Sequence, residues 1–359
     1  MSLARERLAA LSNAVLQVPH NLPRLARHLL RPDIMLSNWC NAVLAAGQIP
    51  FVICRIERLG DIVATTSVAS HLRDQFGQSA RIAWVCADEY ASVLRGNPDI
   101  DAIFVEPCLT AWMLQRRRLS PSTRIVELFL DSDRCSWTGM RVKLHKSGWT
   151  THNYYLRGQS LLAAYSSAAG YPVPDLSPVL PHISLLRDQR QRPPDALKRI
   201  AVHFTSRDPA RSWPMESALR FCKAALSAGY QLIELGNEAL VASQLHDVES
   251  PNNDDDISSH LVALARVDCF VGVDSGFAHC ANALRIPAVI LLGNFRNFPG
   301  YCPFSGPHAR GKLWQILRSA STLATLAPDD VINALHHMLE NARLADQHSA
   351  VQGDAQRIS

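Results

Sequence analysis

Asp61 is the first residue in the chain whose position suggests chemistry. It follows an apolar, strand-like run at residues 51–56 and precedes apolar residues spaced as on a helix. Gly60 is expected to permit a tight strand-to-helix turn, with Arg58 in the same polar loop. A carboxylate at a helix start can accept backbone N–H groups as a cap, or it can take a proton from a hydroxyl as a general base. The local residues leave both roles open.

The second loop with suitable side chains is HFTSRDPARSWP, residues 203–214. Thr205 and Ser206 supply hydroxyls, Arg211 supplies a guanidinium, and a helix is predicted to begin after the loop. Hydroxyls, backbone N–H groups and a guanidinium at a helix start form a suitable pyrophosphate site. The alternative is a solvated loop, although the apolar Trp213 favours a packed one.

The third loop lies in VDCFVGVDSGFAHCANALRIPAVILLG, residues 267–293. A buried strand is predicted to lead into Asp274, Ser275 and Gly276 at a helix start, with His279 on the first turn. Small residues there let backbone N–H groups approach a phosphate or a ribose closely. The alternatives are that Asp274 is only a helix cap and that His279 is a core histidine with a satisfied ring.

The elements that position these loops form two alternating series of strands and helices. Such alternation predicts βαβ units around parallel sheets, with the polar loops at the carboxyl ends of strands. Six prolines in residues 171–195 indicate a linker between the two series. The predicted strands are 51–56, 81–86, 100–105 and 124–130, followed by 199–204, 230–235, 269–273 and 288–292. The predicted helices are 153–169, 215–228, 257–266, 276–284 and 325–345, together with one after Asp61 whose apolar face holds Ile62, Ala69, Leu72 and Phe76.

The composition limits the class of protein. The 359 residues are 47% hydrophobic and 19% charged, which suits two globular domains with sizeable cores. The nine cysteines form no CxxC pair or Cys/His cluster, which favours a reducing cytoplasm and argues against structural zinc. No apolar run reaches the roughly 18 residues of a membrane span, and the start lacks the layout of a secretory signal. A net charge of +4 is too small to indicate a nucleic-acid partner.

A basic segment at residues 1–33 allows two interpretations. It is either a helical extension packed on the first domain or a membrane-surface helix attracted to anionic lipids of the inner membrane. Membrane partitioning measured with and without residues 1–33 distinguishes the two. The basic residues, spaced roughly as on a helix, are Arg5, Arg7, Arg24, Arg27 and Arg31.

Four motifs, in the same order over roughly residues 50–310, resemble those of glycosyltransferase family 9, the ADP-heptose:lipopolysaccharide heptosyltransferases. CRIERLGDIVATTSV is similar to the family's strand, polar loop, Leu-Gly-Asp and helix, and GNPDIDAIFV to its His-Pro-x-Val-Asp element. TSRDPARSWP resembles the Thr-Thr-Arg-Asp…Lys-x-Trp-Pro phosphate loop. VGVDSGFAHCANALRIPAVILLG resembles the Asp-Ser/Thr-Gly-x-x-His signature.

This resemblance implies an α/β protein with the GT-B fold, in which two Rossmann-like domains face each other across a cleft. It also implies an inverting mechanism that needs no metal or other cofactor. It places the catalytic base on Asp61, with Arg58 and Gly60 in the acceptor-side loop. The residues that it implies for donor binding are Thr205, Ser206, Arg211, Glu238, Asp274, Ser275, Gly276 and His279.

The pattern of elements along the chain sets the expected domain bounds. The expected parts are an N-terminal helical extension (1–48), a Rossmann-like acceptor domain (49–180), a linker (181–198), a Rossmann-like nucleotide-sugar donor domain (199–345) and a disordered tail (346–359).

The implied reaction transfers heptose from ADP-heptose to a lipopolysaccharide core or a related bacterial surface glycan, in the cytoplasm or peripherally on the inner membrane. Two departures from the family pattern keep alternatives open. Arg211 replaces the usual lysine, and NFRNFPGYCPFSG stands where the family has Pro-Thr-Asp-Pro. One alternative is a family 9-like transferase that uses another nucleotide-activated sugar for O-antigen or capsule synthesis. The other is a catalytically silent nucleotide-binding module.

Two other enzyme classes fit the sequence less well. The segment DSD, residues 131–133, has the spacing of the Asp-x-Asp metal site of GT-A glycosyltransferases, but the two-half layout and the separate phosphate loop favour GT-B. A dinucleotide oxidoreductase needs a Gly-x-Gly-x-x-Gly turn, which is missing after every candidate first strand.

Overall fold

The computed structural model of the chain forms two compact units, Met1–Leu176 and Ser177–Ser359. It describes residues 21, 23, 25, 26, 34–130, 133–141, 160–180, 183, 197–206, 208–251, 257–293, 301–311, 313–319 and 321–357.

The first unit is built around a four-stranded parallel sheet. Its elements are α1 (Met35–Ala45), β1 (Ile49–Cys54), α2 (Leu59–Thr65), α3 (Ser67–Phe76), β2 (Ala80–Cys86), α4 (Asp88–Leu94), β3 (Ala102–Val105), α5 (Leu109–Gln115), β4 (Arg124–Glu127) and α6 (Leu161–Ala168), with short 3-10 helices at Gly77–Ser79 and Arg116–Arg118. The strands pair in the order β3-β2-β1-β4. The central strands β1 and β2 are almost wholly buried, as expected for parallel strands whose two faces are both covered.

The second unit contains a six-stranded parallel sheet in the order β10-β9-β8-β5-β6-β7. Its elements are β5 (Arg199–His203), a 3-10 helix (Pro209–Arg211), α7 (Met215–Ser227), β6 (Gln231–Glu234), β7 (Val248–Glu249), α8 (Ile257–Ala265), β8 (Cys269–Val273), α9 (Gly276–Ala283), β9 (Ala288–Leu292), β10 (Trp314–Arg318), a 3-10 helix (Leu323–Thr325) and α10 (Pro328–Arg357). Residues of β5, β8 and β9 form one core with the apolar faces of α7 and α10.

Both sheets share the strand order of a doubly wound Rossmann sheet. Read from β7, the second sheet runs through the third, second, first, fourth, fifth and sixth strands of its unit, and the first sheet runs through the third, second, first and fourth. The order reverses between β1 and β4 and again between β5 and β8. In open α/β sheets ligands bind outside the carboxyl ends of the strands at this switch point. The fold therefore predicts one ligand-binding position in each unit, at the carboxyl ends of β1 and β4 in the first and of β5 and β8 in the second.

The predicted strands are all present, with ends that differ by at most three residues from the predicted ones. The short β7 and the edge strand β10 were not predicted, and neither were α4 and α5. We expected a disordered tail over residues 346–359, and the structure has α10 extending to Arg357. That part of the sequence contains Ala, Gln and Arg, which favour helix.

Several predictions fall largely outside the described residues. These are the linker over 181–198, the first part of the helix over 153–169, and the basic segment 1–33. Among the residues that the structure describes, no helix is long and apolar enough to cross a membrane. All nine cysteines are free thiols.

Gly272 in β8 is required by the close approach of β5. A Cβ atom built on this glycine lies inside van der Waals contact with the carbonyl oxygen of His203 and 2.7 Å from Cζ of Phe270. We expect Gly272→Ala to lower the free energy of unfolding by roughly 1–3 kcal/mol, because backbone must shift to accept the methyl group. Urea denaturation of the purified protein measures this change.

Gly293 provides the matched control. A Cβ atom there would make only ordinary contacts, the nearest at 3.5 Å from Cγ of Leu323. Gly293→Ala is therefore expected to change stability by less than about 0.5 kcal/mol. Equal losses in the free energy of unfolding in the two variants would contradict the conclusion that the close approach of β5 requires a glycine at residue 272.

Candidate functional site

Arg55 follows β1 directly and is the centre of a buried charged cluster. Its side chain is 2% exposed, and it contacts Asp61 and Asp133 through different nitrogens. Nη2 donates to Oδ2 of Asp61. Nη1 donates to Oδ2 of Asp133 at 2.8 Å and to the carbonyl oxygen of Leu128 at 2.9 Å. Because one carboxylate follows β1 and the other follows β4, the cluster lies at the β1/β4 switch point.

Tyr165 in α6 completes the cluster, which we call the Arg55 network (Arg55, Asp61, Asp133 and Tyr165). The Tyr165 hydroxyl donates to Oδ2 of Asp61 at 3.1 Å. The guanidinium carbon of Arg55 lies 4.6 Å from the ring centroid of Tyr165 and 5.1 Å from that of Phe129. Aromatic faces attract a guanidinium by cation–π interaction, so packing as well as charge holds Arg55 in place.

Burial and neighbouring charges shift the pKa values of Asp133, Arg55 and Tyr165. Burial opposes the charge on Asp133, but the guanidiniums of Arg55 and Arg58 bring its pKa below the usual aspartate value. Burial likewise opposes the charge on Arg55, yet the Asp61 and Asp133 carboxylates raise its pKa well above its usual value. Burial raises the pKa of Tyr165, which therefore stays protonated and acts as a hydrogen-bond donor.

The side chain of Asp61 does not cap its helix. Asp61 lies within the first turn of α2, and its side chain, which is 12% exposed, bonds to Arg55 and Tyr165. The residue before the helix is Arg58, whose φ of 73° is in the left-handed region. Our expectation that Gly60 makes the turn was therefore wrong, since Gly60 is a buried residue of the helix itself. A non-glycine residue in this region stores strain of the kind that is concentrated at functional sites.

The segment DSD allowed a metal site, and the structure shows how one of its carboxylates is used. Oδ2 of Asp133 accepts from Arg55 and from the backbone N–H of Leu130 at 3.1 Å. Asp131 lies outside the described residues. Within the part of the chain that the structure describes, no group of three or more His, Cys, Asp or Glu side chains is arranged to hold a metal ion.

In the second unit the structure joins two of the predicted loops. Nη2 of Arg211 donates to Oδ2 of Asp274 at 2.5 Å and to the backbone carbonyl of Asp274 at 2.8 Å. The hydroxyl of Tyr301 donates to the same Oδ2 at 2.9 Å. Arg211 follows β5 and Asp274 follows β8, so this pair lies at the β5/β8 switch point.

The loop that carries Arg211 is packed, as the presence of Trp213 predicted. The Trp213 indole is buried against Phe204 and Phe221, and its N–H donates to the carbonyl oxygen of Leu326 at 3.2 Å. Asp208 starts the short 3-10 helix by accepting from the backbone N–H of Ala210 at 3.1 Å. The guanidinium of Arg211 is therefore presented from a fixed backbone.

Thr205 and Ser206 lie half-buried at the start of this loop. The backbone N–H of Ser206 donates to the hydroxyl of Ser212 at 2.9 Å, which closes the loop on itself. Both residues are thus in the segment between β5 and Arg211, as the sequence predicted.

The start of α9 carries the remaining residues of the third loop. Ser275 is the N-cap and Gly276 the first helical residue, and the buried Ser275 hydroxyl has no hydrogen-bond partner among the described residues. His279 is almost fully buried, with its ring centroid 4.7 Å from that of Phe304 and Nε2 3.9 Å from Oδ1 of Asp274. Its ring is therefore both packed in the core and adjacent to the Arg211–Asp274 pair.

Among the described residues, no contact joins the predicted donor residue Glu238 to this pair. It is exposed in the turn after β6 and makes no hydrogen bond or ion pair with the described residues. The buried carboxylate here is that of Glu234, the last residue of β6, which accepts from the backbone N–H groups of Val241 at 2.9 Å and Ala242 at 2.7 Å.

Sequence reasoning missed Arg55, Tyr165 and Tyr301. A signal existed for Arg55, because a charged residue that directly continues the apolar run FVIC must find a buried partner. No comparable signal marks the two tyrosines, which meet their carboxylates across long sequence separations.

The fold of the chain is shared with known proteins. No protein-family model matches the sequence, and no curated protein matches it. Among solved structures, the glycosyltransferase family 9 protein from Veillonella parvula is 15% identical with a TM-score of 0.58, and the match covers 81% of this chain and 97% of that one. The E. coli ADP-heptose lipopolysaccharide heptosyltransferase II is 17% identical with a TM-score of 0.60, covering 82% and 100%. The E. coli heptosyltransferase WaaC with ADP is 14% identical with a TM-score of 0.57, covering 81% and 100%. The predicted GT-B fold is confirmed, and so is the resemblance to family 9 at the level of the fold.

Proposed function

We propose that this chain is an inverting glycosyltransferase that moves a sugar from a nucleotide-activated donor to a glycan hydroxyl. The observation that carries the proposal is the Arg211–Asp274 pair at the β5/β8 switch point of a GT-B fold. In such a sheet this is the position for a ligand, and a guanidinium is a strong ligand for phosphate.

The donor side of the proposal assigns complementary roles to the paired residues. The buried Asp274 carboxylate holds Arg211 along one edge, and the Arg211 side chain remains 30% exposed. A partly exposed guanidinium is a suitable ligand for the diphosphate, because its planar fork matches phosphate oxygens. The backbone N–H groups at the start of α9 and the hydroxyls of Thr205 and Ser206 would bind further oxygens.

The acceptor side of the proposal rests on Asp61. In the reaction the acceptor oxygen attacks the anomeric carbon, its proton passes to the Asp61 carboxylate, and the bond from that carbon to the phosphate oxygen breaks. The nucleoside diphosphate leaves with the bonding electrons, and Arg211 stabilises the developing charge. A catalytically silent module is less well supported because the chain retains both Asp61 and Arg211.

We propose ADP-heptose as the donor and a lipopolysaccharide core or related surface glycan as the acceptor. The support is that two of the structures with this fold are heptosyltransferases, one named for ADP-heptose and lipopolysaccharide and the other containing ADP. A second candidate is another nucleotide-activated sugar. It is favoured by Tyr301, which lies in the segment that departs from the family pattern and contacts Asp274.

Calorimetric titration with ADP, UDP, GDP, CMP and dTDP, with and without Mg²⁺, tests the proposal. We expect ADP to bind preferentially and without a need for Mg²⁺. Preference for another nucleotide would change the proposed donor but would remain consistent with a glycosyltransferase. Absence of binding by all five nucleotides would contradict the proposed function.

Variants of Arg211 sharpen this titration. Arg211→Met is expected to weaken nucleotide binding about 10- to 100-fold, because charged hydrogen bonds to phosphate are lost. Arg211→Lys keeps the charge and should retain most of the affinity. Arg220→Met removes an exposed arginine from α7 as the control and should bind like the unmodified protein.

A further inference from the structure

Asp61 is embedded in a network in which Arg55 contacts two carboxylates, with the Arg58 guanidinium also nearby. The two nitrogens of Arg55 bind Asp61 and Asp133 separately, and the Leu128 carbonyl gives the guanidinium an anchor that does not depend on either carboxylate. Because the two carboxylates share Arg55, each limits how much of the Arg55 charge stabilises the other.

The hydrogen bonds also orient Asp61. Arg55 and Tyr165 both bind Oδ2. Among the described residues no side chain binds Oδ1, so this oxygen is the one placed to accept a proton. A carboxylate held through one oxygen presents the other in a fixed direction, which is what proton transfer to a positioned base requires.

From this geometry we infer that Tyr165 and Asp133 are positioning residues that adjust the basicity of Asp61 in opposite directions. Tyr165 donates a hydrogen bond to the carboxylate and so favours its ionised form. Asp133 draws on the charge of Arg55 and repels a second negative charge, and so favours protonation of Asp61. The inference rests on the proposed function, in which Asp61 is the base.

The charged and titratable groups around Asp61 come from four segments. Arg55 follows β1, Arg58 precedes α2, Asp133 follows β4 and Tyr165 lies in α6. Glu57 is in the same loop, but its carboxylate accepts from the backbone N–H and the hydroxyl of Ser136. The effects of Tyr165 and Asp133 can therefore be separated, since Arg55 and Arg58 remain when either is changed.

The test uses two nearly isosteric variants. Tyr165→Phe removes the hydroxyl and keeps the ring that packs on Arg55. Asp133→Asn removes the negative charge and keeps a carbonyl oxygen that can accept from Arg55 and Leu130. In the pH profile of kcat/KM, we expect the acidic limb to move to higher pH by roughly 0.5–1 unit in Tyr165→Phe and to lower pH by a similar amount in Asp133→Asn.

A control and a second measurement separate this inference from the proposed function. Tyr171→Phe removes a hydroxyl from the same unit and should leave the profile unchanged. Carboxyl ¹³C NMR follows the titration of Asp61 without turnover, with the signal assigned by its loss in Asp61→Asn. The titration midpoint is expected to move in the same two directions.

The possible outcomes are distinct. Opposite shifts in the NMR titration together with no sugar transfer would defeat the proposed function and leave the network intact. Shifts of the same sign, or no shift in either variant, would overturn the inference even in an active enzyme, because a merely structural role would alter stability or kcat and not the protonation of Asp61.

Discussion

Asp61→Asn is expected to lower kcat about 10²- to 10⁴-fold, the usual contribution of a general base. Asparagine fills the same space, and its carbonyl oxygen can still accept from Arg55 and Tyr165, but it cannot take the proton of an acceptor hydroxyl. Nucleotide binding should be unchanged, because the proposed donor residues belong to the other unit. Steady-state kinetics with the nucleotide sugar, combined with calorimetry, measure both quantities.

A matched control for this variant is Asp88→Asn. Asp88 also lies in the first turn of a helix of the first unit, α4, and it is exposed. The Asp88→Asn variant should retain full activity. Turnover close to that of the unmodified protein in Asp61→Asn would remove Asp61 from the chemistry and leave it a purely structural partner of Arg55.

The largest expected effect on stability is that of Arg55→Met. Methionine keeps much of the side-chain volume but leaves the buried Asp61 and Asp133 carboxylates without the guanidinium that contacts both of them. Removing one partner of a buried ion pair typically costs about 3–5 kcal/mol, and we expect a loss of this size at neutral pH. Urea denaturation measures it, and Arg117→Met, which changes an exposed arginine of the same unit, should cost less than about 0.5 kcal/mol.

The pH dependence of this loss identifies its electrostatic part. The folded-state pKa of Asp133 is below its ordinary value of 3.8, so the stabilisation by Arg55 is present above that pH and disappears as the pH falls through the lower folded-state value. The difference between Arg55→Met and the unmodified protein should therefore narrow below about pH 4. A second substitution, Asp133→Asn, should recover part of the loss at neutral pH. A loss that is independent of pH and unrelieved by Asp133→Asn would assign the effect to packing.

The fold was predictable because parallel strands covered on both faces appear in the sequence as uninterrupted apolar runs. The runs at 269–273 and 288–292 were predicted with the bounds that the structure gives. The edge strand β10 was missed for the same physical reason, since Trp314–Arg318 is only partly buried and lacks such a run.

The Arg211–Asp274 pair could also have been predicted from the sequence. Arg211 and Asp274 each follow a predicted strand, and in a parallel sheet the carboxyl ends of all strands lie at the same edge, where ligands bind. The complete Arg55 network could not be predicted in this way, because Asp133 and Tyr165 lie 78 and 104 residues along the chain from the residues that they contact, and no local pattern specifies these partners. The backbone of Arg58 was equally hidden, since an arginine gives no sign of a left-handed φ.

The contiguity of each sheet has a consequence for synthesis on the ribosome. All strands of the first sheet are encoded before any strand of the second, and no strand is exchanged between them. Domains of this kind generally fold as units, with the N-terminal one first. The last partner of the Asp61 carboxylate, Tyr165, lies 104 residues after it in the chain. The nascent chain therefore contains Arg55, Asp61 and Asp133 without their Tyr165 partner until α6 emerges, and the Arg55 network is completed only then, before the second unit has been fully translated.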